Sequence, residues 1–178
     1  MSALLAAVAE VLENHGARYA VIGAAALAAR GVSRSTFDLD LLTTDRTVLR
    51  RQLWSDIHAA GAIVDVRTGD ADDPLAGVVR ISRPPDRPVD LIVADGVWQN
   101  RILAESERLT INGVDIPVIN EVGIILLKLY AGGPQDLWDI AQLLGVIPHP
   151  DDVKRTVEDR LDTMPADCRS RWQRVVTK

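Results

Sequence analysis

The chain has 178 residues with a net charge of −5, and 47% of its residues are hydrophobic. This length and composition predict a globular domain with a buried core and exclude a wholly disordered chain. The negative charge argues against a protein that coats nucleic acid electrostatically. Cys168 is the single cysteine, which excludes an intrachain disulfide and favours a reducing cytoplasm. No apolar run reaches the about 20 residues that span a bilayer, so we expect no membrane partner.

Short helices and strands alternate in the first half of the chain, judged from apolar periodicity and from glycine and proline positions. The predicted helices are residues 2–14, 24–30 and 46–60. The predicted strands are residues 19–22, 35–42, 62–67, 78–82 and 89–94, with a loop over 68–76 and a turn over 83–88. Within the strand 35–42, the apolar residues Phe37, Leu39 and Leu41 share one face. Asp38 and Asp40 share the opposite face.

Helices dominate the second half of the chain. A hairpin is predicted over residues 109–119, because Asn112-Gly113 is a strong signal for a type I′ turn. The predicted helices are residues 97–106, 121–131, 135–144, 150–161 and 165–176. The whole pattern predicts a mixed α/β (α+β) fold in which helices flank a small mixed sheet. We expect residues 1–145 to form one domain and residues 146–178 to form a helical extension packed on it.

Asp38 and Asp40 are the most informative residues of the sequence. Side chains two residues apart on a strand point the same way, with their Cα atoms roughly 6.6 Å apart. Two ionised carboxylates that close repel each other unless a cation lies between them. Mg²⁺ prefers carboxylate oxygens and phosphates, so the pair predicts a magnesium site, with solvated acids on an edge strand as the competing interpretation. Asp90, inside an apolar strand, is the preferred third ligand, and Asp65 is the alternative.

Gly23 connects a predicted strand to a predicted helix. The backbone N–H groups and the positive end of the helix dipole at such a turn form an anion site suited to a triphosphate. This stretch and the residues after it resemble the signature of polymerase-β-type nucleotidyltransferases. The resemblance is closest to small bacterial nucleotidyltransferase-like proteins and to the toxins of type IV toxin–antitoxin systems. The residues that carry it are Gly23, Ala24, Gly31, Arg34, Thr36, Asp38 and Asp40.

A second block strengthens the resemblance. Lys128-Leu129-Tyr130-Ala131, followed by Asp136 and Asp139, is similar to that family's helix motif of lysine and alanine followed by two aspartates. The resemblance implies transfer of a nucleoside monophosphate from an NTP, with two Mg²⁺ ions bound by Asp38, Asp40 and Asp90. It also implies a set of nucleotide-binding residues, namely Gly23, Ala24, Arg34, Thr36, Lys128, Asp136 and Asp139.

The acceptor stays open at this stage. The resemblance to toxins implies an RNA 3′ end as acceptor and a cognate antitoxin as partner, while a protein side chain and a small molecule are alternatives. Two departures favour a second class of protein, a degenerate nucleotidyltransferase fold that binds nucleotide or protein without catalysis. Ala24 replaces the second glycine or serine of the turn, and residues 132–135 lack the basic residue often found there. An aminoglycoside-modifying enzyme is a third interpretation that the shared signature permits. For Arg34 and Lys128, a structural ion pair with a nearby acid is the competing interpretation.

Overall fold

The computed structural model describes residues 2–34, 36–70, 73 and 75–177, and within them one seven-stranded sheet is flanked by helices. The strands are β1 (Tyr19–Val21), β2 (Leu39–Thr43), β3 (Ile63–Thr68), β4 (Leu75–Ser82), β5 (Val89–Ala94), β6 (Glu107–Ile111) and β7 (Val114–Val118). The α-helices are α1 (Ala3–His15), α2 (Gly23–Ala29), α3 (Ser55–Ala59), α4 (Val97–Ala104), α5 (Glu121–Ala131), α6 (Pro134–Val146), α7 (Pro150–Glu158) and α8 (Ala166–Val176). Short 3-10 helices occupy Arg46–Leu49, Arg51–Trp54 and Leu161–Thr163.

The strand order across the sheet is β3-β4-β5-β2-β1-β7-β6. β2 is parallel to β5, β1 is parallel to β7, and the other neighbours are antiparallel. The prediction of a mixed α/β fold is therefore confirmed. Because β2 and β5 are direct neighbours at the centre of the sheet, the two strands predicted to carry metal ligands lie side by side.

Local chemistry explains the elements that were predicted well. Ser2 caps α1 by accepting a hydrogen bond from the N–H of Leu5 at 3.3 Å, and Gly16 ends that helix with φ 74°. The hairpin β6–β7 turns at Asn112 and Gly113, with φ values of 49° and 80°. Positive φ at both central residues is what a type I′ turn requires.

The predicted strand 35–42 begins too early. β2 starts at Leu39, and Phe37 is 78% exposed although it was predicted to share a strand face with Leu39 and Leu41, which are buried. Thr36 accounts for the difference, because its hydroxyl donates to the backbone carbonyl of Asp38 at 3.0 Å and bends the chain before the strand. Ser35, the first residue of the predicted strand, lies outside the described residues.

Two further predictions were wrong. The helix predicted over residues 46–60 is two 3-10 turns followed by α3, because Arg50 between the turns is extended, with φ −77° and ψ 116°. Trp54 packs back on this segment and donates from its indole N–H to the carbonyl of Val48 at 2.8 Å. β4 begins at Leu75, inside the region predicted as a loop.

The C-terminal helices pack on α5. Gly132 ends α5 with φ 71°, and the guanidinium of Arg171 from α8 donates to the carbonyls of Leu129 and Tyr130 at 2.8 and 3.1 Å. These bonds satisfy carbonyl groups that a helix end leaves without partners. Trp172 of α8 is 2% exposed and belongs to the same buried cluster as the sheet. None of the described helices is long and apolar enough to cross a membrane.

Candidate active site

Three acidic residues meet on one face of the sheet. Asp40 of β2 and Asp90 of β5 are paired residues of neighbouring parallel strands, so their side chains point the same way. Asp38 precedes Asp40 by two residues, and its charge acts on both of them. Asp65, the alternative third ligand, lies on β3, which β4 separates from β5. The structure thus brings together Asp38, Asp40 and Asp90, which we call the carboxylate face.

The carboxylate face carries an excess of negative charge. Burial, followed by the charges of Asp38 and Asp90, raises the pKa of Asp40 to about 6. Burial also raises the pKa of Asp90, although Arg80 opposes this effect. The Oδ1 atom of Asp90 is buried and has no hydrogen-bond partner among the described residues. Carboxylate oxygens are the ligands that a hard divalent cation such as Mg²⁺ prefers, and a cation would relieve the repulsion among these three side chains.

Arg80 is a cation that the sequence analysis did not select. It lies on β4 directly opposite Asp90, and its Nη1 atom is 2.6 Å from Asp90 Oδ2 and 3.8 Å from Asp38 Oδ2. In this arrangement, no three histidine, cysteine, aspartate or glutamate side chains of the described chain are grouped so as to hold a metal ion. Val79 and Ile81 on either side of Arg80 are buried, so the alternation along β4 indicated that Arg80 points to the opposite face of the sheet. Its partner Asp90 could be found only from the register of β4 with β5.

Gly23 lies against the carboxylate face. It is the first residue of α2, with φ 64°, and a Cβ atom placed on it would lie 2.5 Å from Asp40 Oδ2. Only glycine combines this left-handed backbone with so close an approach of the carboxylate. Ala24, the next residue of the turn, is 8% exposed. The glycine turn and the acidic pair of the sequence signature are therefore in contact.

Thr36 and Arg34 position their neighbours. The hydroxyl of Thr36 lies 3.1 Å from Asp38 Oδ1, in addition to its bond to the backbone of that residue. Arg34 donates from Nη1 to Asp139 Oδ2 of α6. The ion pair that competed with a phosphate contact for Arg34 is thus present in the structure.

Lys128 is the centre of a second cluster. Its side chain is nearly buried in α5, and its Nζ atom lies 3.0 Å from Asp136 Oδ1 and 2.6 Å from Asp139 Oδ2. Asp139 is fully buried and also accepts from the amide of Gln135 at 3.0 Å. Burial acts to raise the pKa of Asp139, but the hydrogen bonds from Lys128 and Gln135 prevail and lower it. Asp136 Oδ2 accepts from the N–H of Gly133 at 3.0 Å and so caps α6.

An apolar cavity of about 320 Å³ connects the two clusters. Gly23, Lys128 and Asp136 all line it. Its sheet wall includes Leu42 and Ile92, which follow Asp40 and Asp90 by two residues and therefore share their face. The two sequence blocks, which are 88 positions apart from Asp40 to Lys128, thus border one cleft through Gly23, Lys128 and Asp136.

The chain has the fold of nucleotidyltransferases, as similar solved structures show. One is an antigenic nucleotidyltransferase-like protein from Paracoccidioides brasiliensis, with 19% identity, a TM-score of 0.55 and coverage of 97% of this chain and 91% of that one.

Two other similar structures are of an antibiotic-resistance factor and an antibiotic adenylyltransferase. The antibiotic-resistance factor ANT(2'')-Ia has 14% identity and a TM-score of 0.53, with coverage of 89% of this chain and 91% of that one. The lincosamide antibiotic adenylyltransferase LnuA has 13% identity and a TM-score of 0.50, with coverage of 83% and 98%. No protein-family model and no curated protein sequence matches the chain. At these identities the likeness concerns the fold alone.

Proposed function

We propose that the protein is a magnesium-dependent nucleotidyltransferase that moves a nucleoside monophosphate from an NTP to an acceptor. The observation that carries this proposal is the pairing of Asp40 with Asp90, with Asp38 beside them and Gly23 packed on Asp40. Asp38, Asp40 and Asp90 would hold two Mg²⁺ ions, whose charge activates the attacking oxygen and steadies the leaving pyrophosphate. The carboxylate oxygens and the unsatisfied Oδ1 of Asp90 fit that role.

The proposed reaction is the transfer of the nucleoside monophosphate to the acceptor, assisted by residues of the carboxylate face and of the glycine turn. The acceptor oxygen attacks the α-phosphorus, the bond to the β-phosphate oxygen breaks, and pyrophosphate leaves. Asp90, or Asp40 with it, would activate the acceptor by taking the proton of its hydroxyl. The backbone N–H groups at Gly23 and Ala24 hold phosphate oxygens, since the first N–H groups of a helix lack intrahelical partners.

The polar residues around the cleft position the nucleotide. Lys128 neutralises phosphate charge at the rim of the cavity, and Asp136 and Asp139 orient its ammonium group. Thr36 holds the Asp38 carboxylate, and Arg34 ties the segment before β2 to α6 through Asp139. In this proposal Lys128 and Arg34 contribute to the nucleotide site in addition to forming ion pairs with Asp139.

The acceptor is a small molecule, a protein side chain or an RNA 3′ end. A small-molecule acceptor is supported by the names of two similar structures, an antibiotic-resistance factor and a lincosamide antibiotic adenylyltransferase. A toxin role, with an RNA acceptor and a cognate antitoxin, is supported by the sequence resemblance. Labelling of RNA, of protein or of a small-molecule extract distinguishes the three acceptors.

A second function is favoured by one observation. Arg80 already provides a positive charge between Asp38 and Asp90. A nucleotidyltransferase fold whose metal position is taken by an arginine would bind nucleotide or a protein partner without catalysis. Ala24 and the uncharged residues 132–135 are consistent with that alternative.

Transfer of label distinguishes the two functions. The protein is incubated with each α-labelled NTP and Mg²⁺ in the presence of RNA, protein or small-molecule extract. We expect label in one of these pools with the wild-type protein and none with Asp38→Asn/Asp40→Asn or with Asp90→Asn. Asp65→Asn, a matched change two strands from Asp90 and on the far side of Arg80, should keep the transfer. Nucleotide binding without transfer to any pool would support the non-catalytic alternative instead.

A further inference from the structure

The outer side of α6 carries no charged residue. The structure describes every residue of this helix, and the exposed ones, which we call the α6 face, are Pro134, Gln135, Trp138, Ala141, Gln142, Gly145 and Val146. The two helices that follow it expose several charges, namely Asp151, Asp152, Arg155 and Glu158 on α7 and Asp167, Arg169 and Arg174 on α8. A helix surface that stays in water normally carries charged and polar residues, so the α6 face differs from its neighbours.

Trp138 is the largest side chain of the α6 face and is 52% exposed. Val146 on the same face and Val176 at the end of α8 are also exposed. A groove of about 420 Å³ runs between the two helices and is lined by Pro134, Leu137, Trp138, Ala141, Arg174 and Val175. Contiguous apolar surface of this kind marks a site of interaction, and tryptophan is among the residues most enriched at the centre of protein interfaces.

The inner side of α6 is already engaged. Asp139 and Leu143 are fully buried there, and Asp139 pairs with Lys128 and Arg34. No residue of the α6 face lines the apolar cavity beside the carboxylate face. A partner on the α6 face would therefore cover this helix without entering the cleft.

The two ends of α6 are flanked by opposite charges. Arg174 lines the groove beside Pro134 and Trp138, and unlike Arg169 and Arg171 it forms no ion pair within the described residues. Beyond the other end of α6, Asp151 and Asp152 begin α7, with side chains 87% and 70% exposed. A two-fold axis perpendicular to α6 sets each end of the helix against the opposite end in a second copy. The basic end of each copy then meets the acidic end of the other.

We propose that the α6 face is the interface of a homodimer, in which α6 of two copies packs antiparallel around Trp138. The inference goes beyond the proposed function and does not depend on it. A two-fold contact brings the same residues of both copies together, so charges near its centre would repel their own copies. In a chain with a net charge of −5, the uncharged α6 face avoids that repulsion, and the charges at its two ends are complementary.

Sedimentation velocity of the full chain tests the dimer. Concentrations between about 1 and 100 μM bracket a dissociation constant in the micromolar range. Trp138→Ala removes the central side chain, and Val97→Ala, at an 87% exposed position of α4, is the control for loss of an exposed apolar side chain. Gln142→Glu and Gln142→Arg each place a charge near the middle of α6, where it meets its own copy. Thermal melts verify that each variant folds.

We expect the wild-type protein and Val97→Ala to dimerise equally, and Trp138→Ala to raise the dissociation constant by about 30-fold or more, as for the loss of a central interface tryptophan. Each Gln142 variant should dimerise more weakly than the wild type, because like charges meet across the axis. An equimolar mixture of the two Gln142 variants should associate more tightly than either alone, since opposite charges then meet. The melting temperature of the wild type should rise with protein concentration.

Three results would overturn the dimer through α6. Wild-type protein that stays monomeric over the whole concentration range would leave the α6 face to a different protein. A wild-type dimer with the same dissociation constant in Trp138→Ala and in both Gln142 variants would place the contact elsewhere on the molecule. A mixture of the Gln142 variants that associates no more tightly than its components would contradict the antiparallel packing of α6 on its own copy.

Discussion

The guanidinium of Arg80 lies 2.6 Å from Asp90, the residue that pairs with Asp40 on the neighbouring strand. It also lies 3.8 Å from Asp38. A single arginine thus neutralises part of a face on which carboxylates would otherwise repel one another. We expect Mg²⁺ bound at this face to compete with the guanidinium for the negative charge of Asp38 and Asp90.

Replacing Arg80 should therefore change the response to metal. In Arg80→Gln we expect the melting temperature without Mg²⁺ to fall by a few degrees, corresponding to about 1–2 kcal/mol for a chain of this size. The Mg²⁺-induced rise in melting temperature should be larger than in the wild type, because the metal no longer competes with the guanidinium. Arg155→Gln, at a 73% exposed position of α7, is the control and should show the wild-type response. An unaltered Mg²⁺ response in Arg80→Gln would show that Arg80 does not occupy the metal position.

Substitution of Gly23 tests whether its close contact with Asp40 matters for stability and metal binding. Gly23→Ala should lose stability and most of the Mg²⁺ response, because the new Cβ meets Asp40 Oδ2 at 2.5 Å in a left-handed backbone conformation. Gly31→Ala is a matched control, since Gly31 has φ 89° and an added Cβ there has nothing within 4 Å. The control should lose only the about 1–2 kcal/mol that a non-glycine residue costs in this region, as measured by denaturant unfolding. Equal losses in the two variants would contradict a specific role for the contact with Asp40.

The raised pKa of Asp40 predicts a pH dependence of stability. Its folded pKa of about 6 exceeds the ordinary value of 3.8, so the folded state binds the proton more tightly than the unfolded state. This contribution is complete below pH 3.8 and is lost as the pH rises through 6, by on the order of 2–3 kcal/mol at most. Unfolding experiments in metal-free buffer between pH 4.5 and 7.5 should show this loss in the wild type and not in Asp40→Asn. Mg²⁺ binding should follow the opposite trend and weaken below pH 6, because a protonated carboxyl is a poor ligand.

The Lys128 cluster predicts a large effect on stability. Lys128→Met leaves the fully buried Asp139 with Arg34 as its remaining cation, so we expect a loss of about 3 kcal/mol and a fall in melting temperature of about 6–12 °C. Lys154→Met removes an exposed pair with Asp151 and should cost less than about 0.5 kcal/mol. The double variant Lys128→Met/Asp139→Asn should recover part of the stability, since both charges are then absent. Failure of the double variant to recover any stability would contradict a direct coupling between the two residues.

Much of the fold followed from local signals in the sequence. The ends of helices and the turn of a hairpin depend on residues close together in the sequence. The helix caps at Ser2 and Gly132 and the turn at Asn112-Gly113 are of this kind, and the bounds of these elements were predicted to within a few residues. Phe37 was misplaced because a hydrogen bond from Thr36 bends the chain, an effect that side-chain alternation does not reveal.

The candidate site was predictable as far as its residues belong to a local motif. Asp38 and Asp40 were selected from their spacing, and Asp90 from its apolar strand. Arg80 was missed because its importance depends on the register of β4 with β5. Such long-range geometry has no signal in a single sequence.

We propose that the carboxylate face binds metal and nucleotide together. A crystal structure of the protein with Mg²⁺ and a non-hydrolysable NTP tests this claim most directly. We predict a metal ion about 2.0–2.1 Å from oxygens of Asp38 and Asp40, phosphates at Gly23, and Arg80 displaced from Asp90. A nucleotide bound elsewhere, or Arg80 still paired with Asp90 and no metal on the carboxylate face at saturating Mg²⁺, would contradict the claim.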